Sequence, residues 1–274
     1  MKSILITGCS SGIGADAARG LAARGWRVLA TCRKQEDAER LRGEGLESWA
    51  LDQADEQSVA KGAEEALSRT LGGLDAVFLN GAYGIPGAAE DVPRGAMRAI
   101  FEANLFGVHD LARRLIPAMR ARREGRIVFC SSVLGVQAMP WRSAYNATKF
   151  AMEGLADTMR LELRGSGVHV VLIQPGPIRT RIRENSVPHF ERWIDWKGSA
   201  LRERYEATLL RRLYEPGGPD RFQLEPEAVT AKLVRALEAR SPAPRYRVTT
   251  PTYLAEGMRR LLPTRLRDAI MSRG

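Results

Sequence analysis

Cysteine is scarce in this chain: Cys9, Cys32 and Cys130 are the three in 274 residues. They are odd in number and widely spaced, and each follows or ends an apolar run. That pattern argues against a disulfide scaffold and predicts buried, reduced thiols in a cytoplasmic protein. No run of about 18 apolar residues occurs, so no transmembrane helix is expected. Met1-Lys2-Ser3-Ile4-Leu5-Ile6 enters a strand at once, and no signal peptide is read before it. There is no low-complexity linker and no internal repeat beyond an alternation of strands and helices. No metal site is expected.

A nucleic-acid motif is also lacking, although the net charge is +10 and the pI about 10.0. Charge of this size bears on partners rather than on fold. The basic residues are spread along the chain, so the preferred reading is an arginine-rich surface with affinity for a phosphate-rich cofactor, without nucleic acid as a partner. Hydrophobic content of 44% and charged content of 27% suit a globular chain long enough for one large α/β domain or two small ones.

What is present begins at the N-terminus. An apolar strand, Lys2 to Ile6, runs into Thr7-Gly8-Cys9-Ser10-Ser11-Gly12-Ile13-Gly14, and a helical pattern follows from Ala15 to Arg24. Strand, glycine-rich turn and helix form the context of a dinucleotide fingerprint. Glycines admit the pyrophosphate, and a helix N-terminus offers amide donors and the positive end of a dipole. A second strand, Trp26 to Thr31, ends at Cys32-Arg33-Lys34. NAD-selective sites carry an acidic residue near this place; here it is missing. A guanidinium can grip a 2′-phosphate bidentately, so Arg33 and Lys34 favour NADP(H) over NAD(H). A third strand, Leu46 to Leu51, ends at Asp52, a candidate acceptor for the adenine amine. A fourth, Leu74 to Leu79, ends at Asn80-Gly81-Ala82.

The helix expected over Arg94 to Arg122 contains Asn104, with Pro117 placed to end or kink it near Leu115. A polar Asn amid Phe101, Leu105 and Val108 needs a partner if buried, and a packing residue bonded to backbone is the plain alternative. The apolar run Ile127-Val128-Phe129 reads as a strand delivering Ser132 to its C-terminal end. A helix from Ala144 to Arg164 carries Tyr145 and Lys149, four apart on one face. An ammonium about 4 Å from a phenol, at an effective dielectric near 20, would favour the phenolate by roughly 4 kcal/mol, about three pKa units. That would make Tyr145 a working acid/base near neutral pH. A last core strand, Val168 to Ile173, leads into Pro175-Gly176-Pro177-Ile178-Arg179-Thr180. The alternation predicts a Rossmann-type, doubly wound parallel sheet in three α/β/α layers, formed by one domain over residues 1–274.

These motifs, in this order over Ile4 to Thr180, resemble the short-chain dehydrogenase/reductase family. The resemblance implies a nicotinamide cofactor, hydride transfer and a catalytic tetrad. Tyr145 would be the acid/base, Lys149 would tune it and bind the nicotinamide ribose, Ser132 would steady the substrate oxygen, and Asn104 would anchor a relay water. Pro175, Gly176, Ile178 and Thr180 would line the nicotinamide. One departure is Leu79-Asn80-Gly81-Ala82 where the family reads Asn-Asn-Ala-Gly. Tyr83-Gly84 and Glu90 look similar to the 17β-hydroxysteroid and retinol dehydrogenase branch. A homodimer or homotetramer acting on a small alcohol or ketone is the assembly implied.

Residues 181–223 fit no nucleotide-binding element. Phe190, Trp193, Trp196, Tyr205, Leu209, Leu210, Leu213 and Tyr214 lie among charges there. They read either as a lid over a large apolar substrate, with Met139 and Trp141, or as packing for a core or subunit interface. Residues 224–274 read as helices around a final strand at Tyr246-Arg247-Val248, with a helix from Pro226 to Arg240. The basic amphipathic tail, Leu254 to Arg273, is interrupted by Pro263 and suits a partner subunit, the chain's own core or peripheral membrane contact. Two further readings remain beside an oxidoreductase: a non-catalytic dinucleotide sensor or scaffold, and a basic membrane-surface binder of the same fold.

Overall fold

In the computed structural model, which describes residues 1–215 and 220–272, seven strands form one sheet. They are β1 (Ser3–Ile6), β2 (Arg27–Cys32), β3 (Glu47–Ala50), β4 (Ala76–Leu79), β5 (Gly125–Cys130), β6 (Val168–Gln174) and β7 (Arg245–Arg247). The spatial order is β3-β2-β1-β4-β5-β6-β7, with every pair parallel. All four residues of β1 and of β4 are buried, as expected for strands covered on both faces. The strand order reverses between β1 and β4. An open α/β sheet has its ligand crevice at such a point, outside the carboxyl ends of the strands.

The covering helices are amphipathic, and each presents its apolar stripe to one sheet face. On one side α3 (Glu56–Arg69), α5 (Gly107–Arg122) and α6 (Ser143–Glu162) pack a core that includes Leu5, Val77, Ile127, Leu111, Leu115 and Met152. On the other, α1 (Gly12–Ala22), α2 (Gln35–Gly43) and α10 (Glu227–Glu238) bury Ile4, Ile6, Phe78, Leu21, Leu41 and Leu233. The three layers and the doubly wound order follow the expectation from the sequence.

The long helix expected over 94–122 is divided differently. Helix α4 (Arg94–Phe101) runs into a π-helical turn at Glu102–Phe106, and α5 then continues unbroken past Pro117 to Arg122. The interruption therefore falls at Asn104, not near Leu115. A π-turn inserts a residue and takes backbone groups off the regular ladder, and such turns recur at functional sites.

The segment after β6 folds into α7 (Ile182–Trp193), a short α8 (Arg202–Arg204), a second π-turn at Tyr205–Leu209 and α9 (Leu210–Tyr214). It builds a third apolar core in which Phe190, Ile194, Tyr205, Leu209 and Leu213 pack on Ile85, Ile100, Ala144, Trp141 and Tyr145. Tyr205 fastens it: its hydroxyl donates to Asp91 Oδ2 at 2.7 Å and accepts from the Ala88 amide at 2.8 Å. Residues 216–219 of the expected lid and 273–274 of the expected tail lie outside the described residues. The chain ends in α11 (Thr250–Leu261) and α12 (Thr264–Met271), separated at Pro263 as anticipated. Among the described residues no helix is long and apolar enough to cross a membrane.

Candidate active site

The glycine-rich turn after β1 is closed by backbone-to-backbone approach. Gly8 has φ +72°, and a Cβ there would lie 2.7 Å from Gly81 Cα. A Cβ on Gly14 would lie 2.3 Å from the Gly8 carbonyl oxygen. No larger residue fits either place. The turn is tied to the end of β4 because Thr7 Oγ1 accepts from the amides of Asn80 and Gly81, each at 3.0 Å. Asn80 Nδ2 donates back to the Thr7 carbonyl at 3.0 Å. The swapped Asn80-Gly81-Ala82 order thus keeps a small residue where β1 and β4 converge. Helix α1 begins at Gly12, and Ser11 at its N-cap makes no side-chain cap bond. Its first amides, with no acidic side chain in the first turn, face the crevice as a cradle for an anion. Thr180 leans over this turn, with its methyl 3.0 Å from where a Gly12 Cβ would stand.

Arg33 and Lys34, just past the end of β2, are exposed and make no ion pair among the described residues. Asp52 at the end of β3 accepts from the Ala54 amide at 2.9 Å through one oxygen. Pro175 is joined to the Ser132 turn by its carbonyl, which accepts from Val133 N at 2.7 Å. Gly176 abuts Thr249, whose Oγ1 a Cβ would meet at 2.1 Å, and Ile178 packs toward the α1 side of the sheet. The residues that the sequence suggested for a dinucleotide therefore line one edge of the sheet. The narrow glycine cradle and the free cations fit a dinucleotide phosphate chain.

Ser132 follows β5 and caps a 3-10 turn, its Oγ accepting from Leu134 N at 3.1 Å. Helix α6 is pinned to that turn by Asn146, whose Nδ2 donates to the Leu134 and Gln137 carbonyls at 3.0 and 3.1 Å. This clamp brings the Ser132 hydroxyl near enough to the Tyr145 hydroxyl to act on its proton. Lys149 is buried, donates to the Cys130 carbonyl at 2.7 Å, and sits 5.5 Å from the Tyr145 ring centroid. Asn104 is fully buried in its π-turn. Its Oδ1 accepts from Tyr83 N at 3.1 Å and its Nδ2 donates to Tyr83 O at 2.8 Å. Its side chain is thus bonded to backbone, with Thr148 Oγ1 at 3.4 Å.

The electrostatics depart from the sequence argument. Burial pushes the Tyr145 phenol above its ordinary value, opposed by the Ser132 hydroxyl and the Arg142 guanidinium. Burial also pulls Lys149 down, with Glu153 acting against that fall. Desolvation penalises both charged forms, and a cation itself stripped of water at this distance does not outweigh it. In the protein alone, Tyr145 is therefore a held proton donor rather than an activated phenolate.

Several residues of the site were not singled out from the sequence. Glu153, four after Lys149, is 6% exposed and accepts from Ser131 Oγ at 2.5 Å, Gln174 Nε2 at 2.9 Å and Arg245 Nε at 3.0 Å. Its i+4 spacing from Lys149 was the available signal. Gln53 packs over the Gly81 and Gly107 backbones, and His189 of α7 stacks on Tyr83 with centroids 4.0 Å apart. Neither carries a local sequence signature.

The model for the family described as short chain dehydrogenase matches residues 2–190. The uncharacterised oxidoreductase YbbO of Escherichia coli K12 is 40% identical over 270 residues, covering 98% of this chain and 94% of that protein. Human 17-beta-hydroxysteroid dehydrogenase type 1 is 31% identical over 265 residues, covering 92% of this chain and 78% of that protein. A crystal structure of a short-chain dehydrogenase from Streptomyces avermitilis superposes with a TM-score of 0.76 at 26% identity, covering 100% of this chain and 97% of that one. The glycine cradle at the β1–β4 switch point, the serine–tyrosine–lysine edge and these matches together make the chain a member of the short chain dehydrogenase family, an oxidoreductase.

Proposed function

We propose that the chain is an NADP(H)-dependent oxidoreductase that interconverts a secondary alcohol and a ketone on a bulky, apolar molecule. The observation that carries this reading is the meeting of Ser132, Tyr145 and Lys149 at the sheet edge beside the glycine cradle. When bound, the nicotinamide supplies or accepts the hydride. Gly8, Ser10, Ser11, Gly12, Ile13 and Gly14 would hold its phosphates, with Asn80, Gly81, Ala82, Pro175, Gly176, Ile178 and Thr180 shaping the slot and Asp52 at the adenine. Ser132 holds the substrate oxygen, and Tyr145 donates its hydroxyl proton to that oxygen during reduction and takes one back during oxidation. Lys149 donates to Cys130 O and, at 4.0 Å, weakly to Met152 Sδ, which leaves donor capacity for the nicotinamide ribose or a relay water. Asn104 acts through the π-turn it anchors. The residues from α7 to α9 close the apolar side of the pocket, in keeping with the steroid-directed name of the human relative.

A panel of bulky ketones with NADPH tests the reading. We expect cofactor oxidation with at least one hydrophobic ketone, and silence across the panel counts against an active reductase. Cofactor choice is tested at Arg33. Arg33→Asp should weaken NADPH by about tenfold or more, since it replaces a bidentate charge-assisted contact by repulsion, while leaving NADH nearly unchanged. An unaltered ratio of kcat/KM for the two cofactors would refute the role given to Arg33.

A further inference from the structure

The two helices that end the described chain turn an apolar stripe outward. On α11, Leu254 and Leu261 lie two turns apart, and on α12, Leu266 and Ile270 lie one turn apart, so each pair shares a helix face. All four are exposed, as is Tyr253, and Leu261 reaches 82%. Helix α11 buries Thr252 and Ala255 against the body of the protein, whereas α12 buries no residue. An eight-residue helix falls short of the length that holds together alone in water, about 12–15 residues, so α12 needs a surface to pack on.

The side chains that flank the stripe are basic. Arg265 and Arg267 stand about 100° to either side of Leu266 around α12. Arg259 and Arg260 fall on opposite flanks of the α11 stripe. Arg259 and Arg265 are exposed and pair with no carboxylate among the described residues. The acidic residues of this segment are withdrawn from the stripe. Glu256 is little exposed and is held by Arg247 at 3.4 Å and Arg260 at 2.8 Å. Asp268 stands on the far side of α12 from Leu266. A second copy of the chain docked face to face would set these arginines against their own counterparts. An anionic lipid surface answers both features, because it takes apolar side chains at its acyl boundary and arginines at its headgroups.

We propose that α11 and α12 form a docking face for an anionic lipid bilayer. They lie in its interface with Leu254, Leu261, Leu266 and Ile270 inserted and with Arg259 and Arg265 at the headgroup phosphates. The face adjoins the working edge of the sheet. Thr249 and Thr252, at the start of α11, abut Gly176, and α11 packs on the turn that follows Ser132. A lipid-bound position suits the bulky, apolar substrate proposed above, since such molecules collect in lipid. That link rests on the reductase reading, whereas the docking face does not.

Flotation of the full chain with vesicles of phosphatidylcholine, alone or mixed with phosphatidylglycerol, tests it. Binding to the anionic vesicles should exceed binding to the neutral ones by about tenfold or more at low salt and should fall as salt is raised. The chain is basic elsewhere too, so variants locate the effect. Leu261→Gln/Leu266→Gln/Ile270→Gln and Arg259→Gln/Arg265→Gln should each lower anionic-vesicle binding about tenfold, with the thermal midpoint retained, since glutamine is a good helix former. Arg94→Gln/Arg120→Gln, the same loss of charge at exposed positions on α4 and α5, should leave most of the binding in place. Absence of vesicle binding, equal binding to both vesicle types, or anionic binding that survives both tail variants overturns the proposal. If vesicles are ignored and sedimentation shows a dimer that the leucine variant splits, the face is a subunit contact instead. Neither readout depends on turnover, so failure here and failure of the ketone panel are distinguishable.

Discussion

Tyr145→Phe is expected to lower kcat by roughly 10²–10⁴-fold, the usual range for removing a general acid/base, with NADPH affinity nearly unchanged. The Tyr145 hydroxyl lies near the Ser132 hydroxyl at the sheet edge, while the ring stands against Lys149. Phenylalanine keeps the ring and its contacts and removes only the hydroxyl. The pH dependence adds a second readout. Burial holds the phenol above its ordinary value, so the proton stays on Tyr145 throughout the neutral range. Ketone reduction should accordingly be level with pH between about 6 and 8, whereas alcohol oxidation, which needs the deprotonated form, should climb with pH. Turnover that persists in Tyr145→Phe, or reduction that falls steeply with rising pH in that window, would contradict the assignment.

Glu153→Ala is expected to destabilise the protein by about 3 kcal/mol, the low end for breaking a buried ion pair. For a chain of this size that corresponds to a drop in thermal midpoint of about 5 °C. Glu153 receives Ser131, Gln174 and Arg245 at once, and only 6% of it is exposed. Its removal strands the Gln174 amide and the Ser131 hydroxyl. Arg245 retains Asp157 at 2.7 Å, which keeps the loss from being larger. Glu153→Gln separates charge from shape. It should recover much of the stability, yet it removes the one carboxylate that favours charged Lys149. Lys149 would then lose its proton at lower pH, and the alkaline limit of activity should move to lower pH. A thermal scan and a pH–rate profile on both variants decide the matter. An unchanged midpoint in Glu153→Ala would mean that the network contributes little.

The order of strands and helices was legible because a sheet buried on both faces demands short, continuous apolar runs, and the helices between them keep a 3.6-residue period. Strand-end positions carried Ser132, Asn80 and Asp52 to one edge for the same reason. The interruption of the long helix was misplaced. Pro117 is the loud local signal, yet α5 runs through it unbroken despite the lost amide donor and the ring's clash one turn back, whereas burying Asn104 requires a partner for each of its polar atoms. The Tyr83 backbone supplies those partners, and the helix widens into a π-turn to reach them.

The sign of the Tyr145 shift was likewise out of reach, because spacing fixes which side chains are neighbours and says nothing of how much water remains around them. The sequence alone determined the chemistry on offer: glycines where a backbone must pass, a phenol one turn from an ammonium, and a cation where a carboxylate would repel a phosphate. Tertiary structure decided what those groups experience. It set the burial that holds the Tyr145 proton and placed Glu153 behind Lys149. Desolvation and long-range charge depend on neighbours distant in the chain, and only the folded packing brings those together.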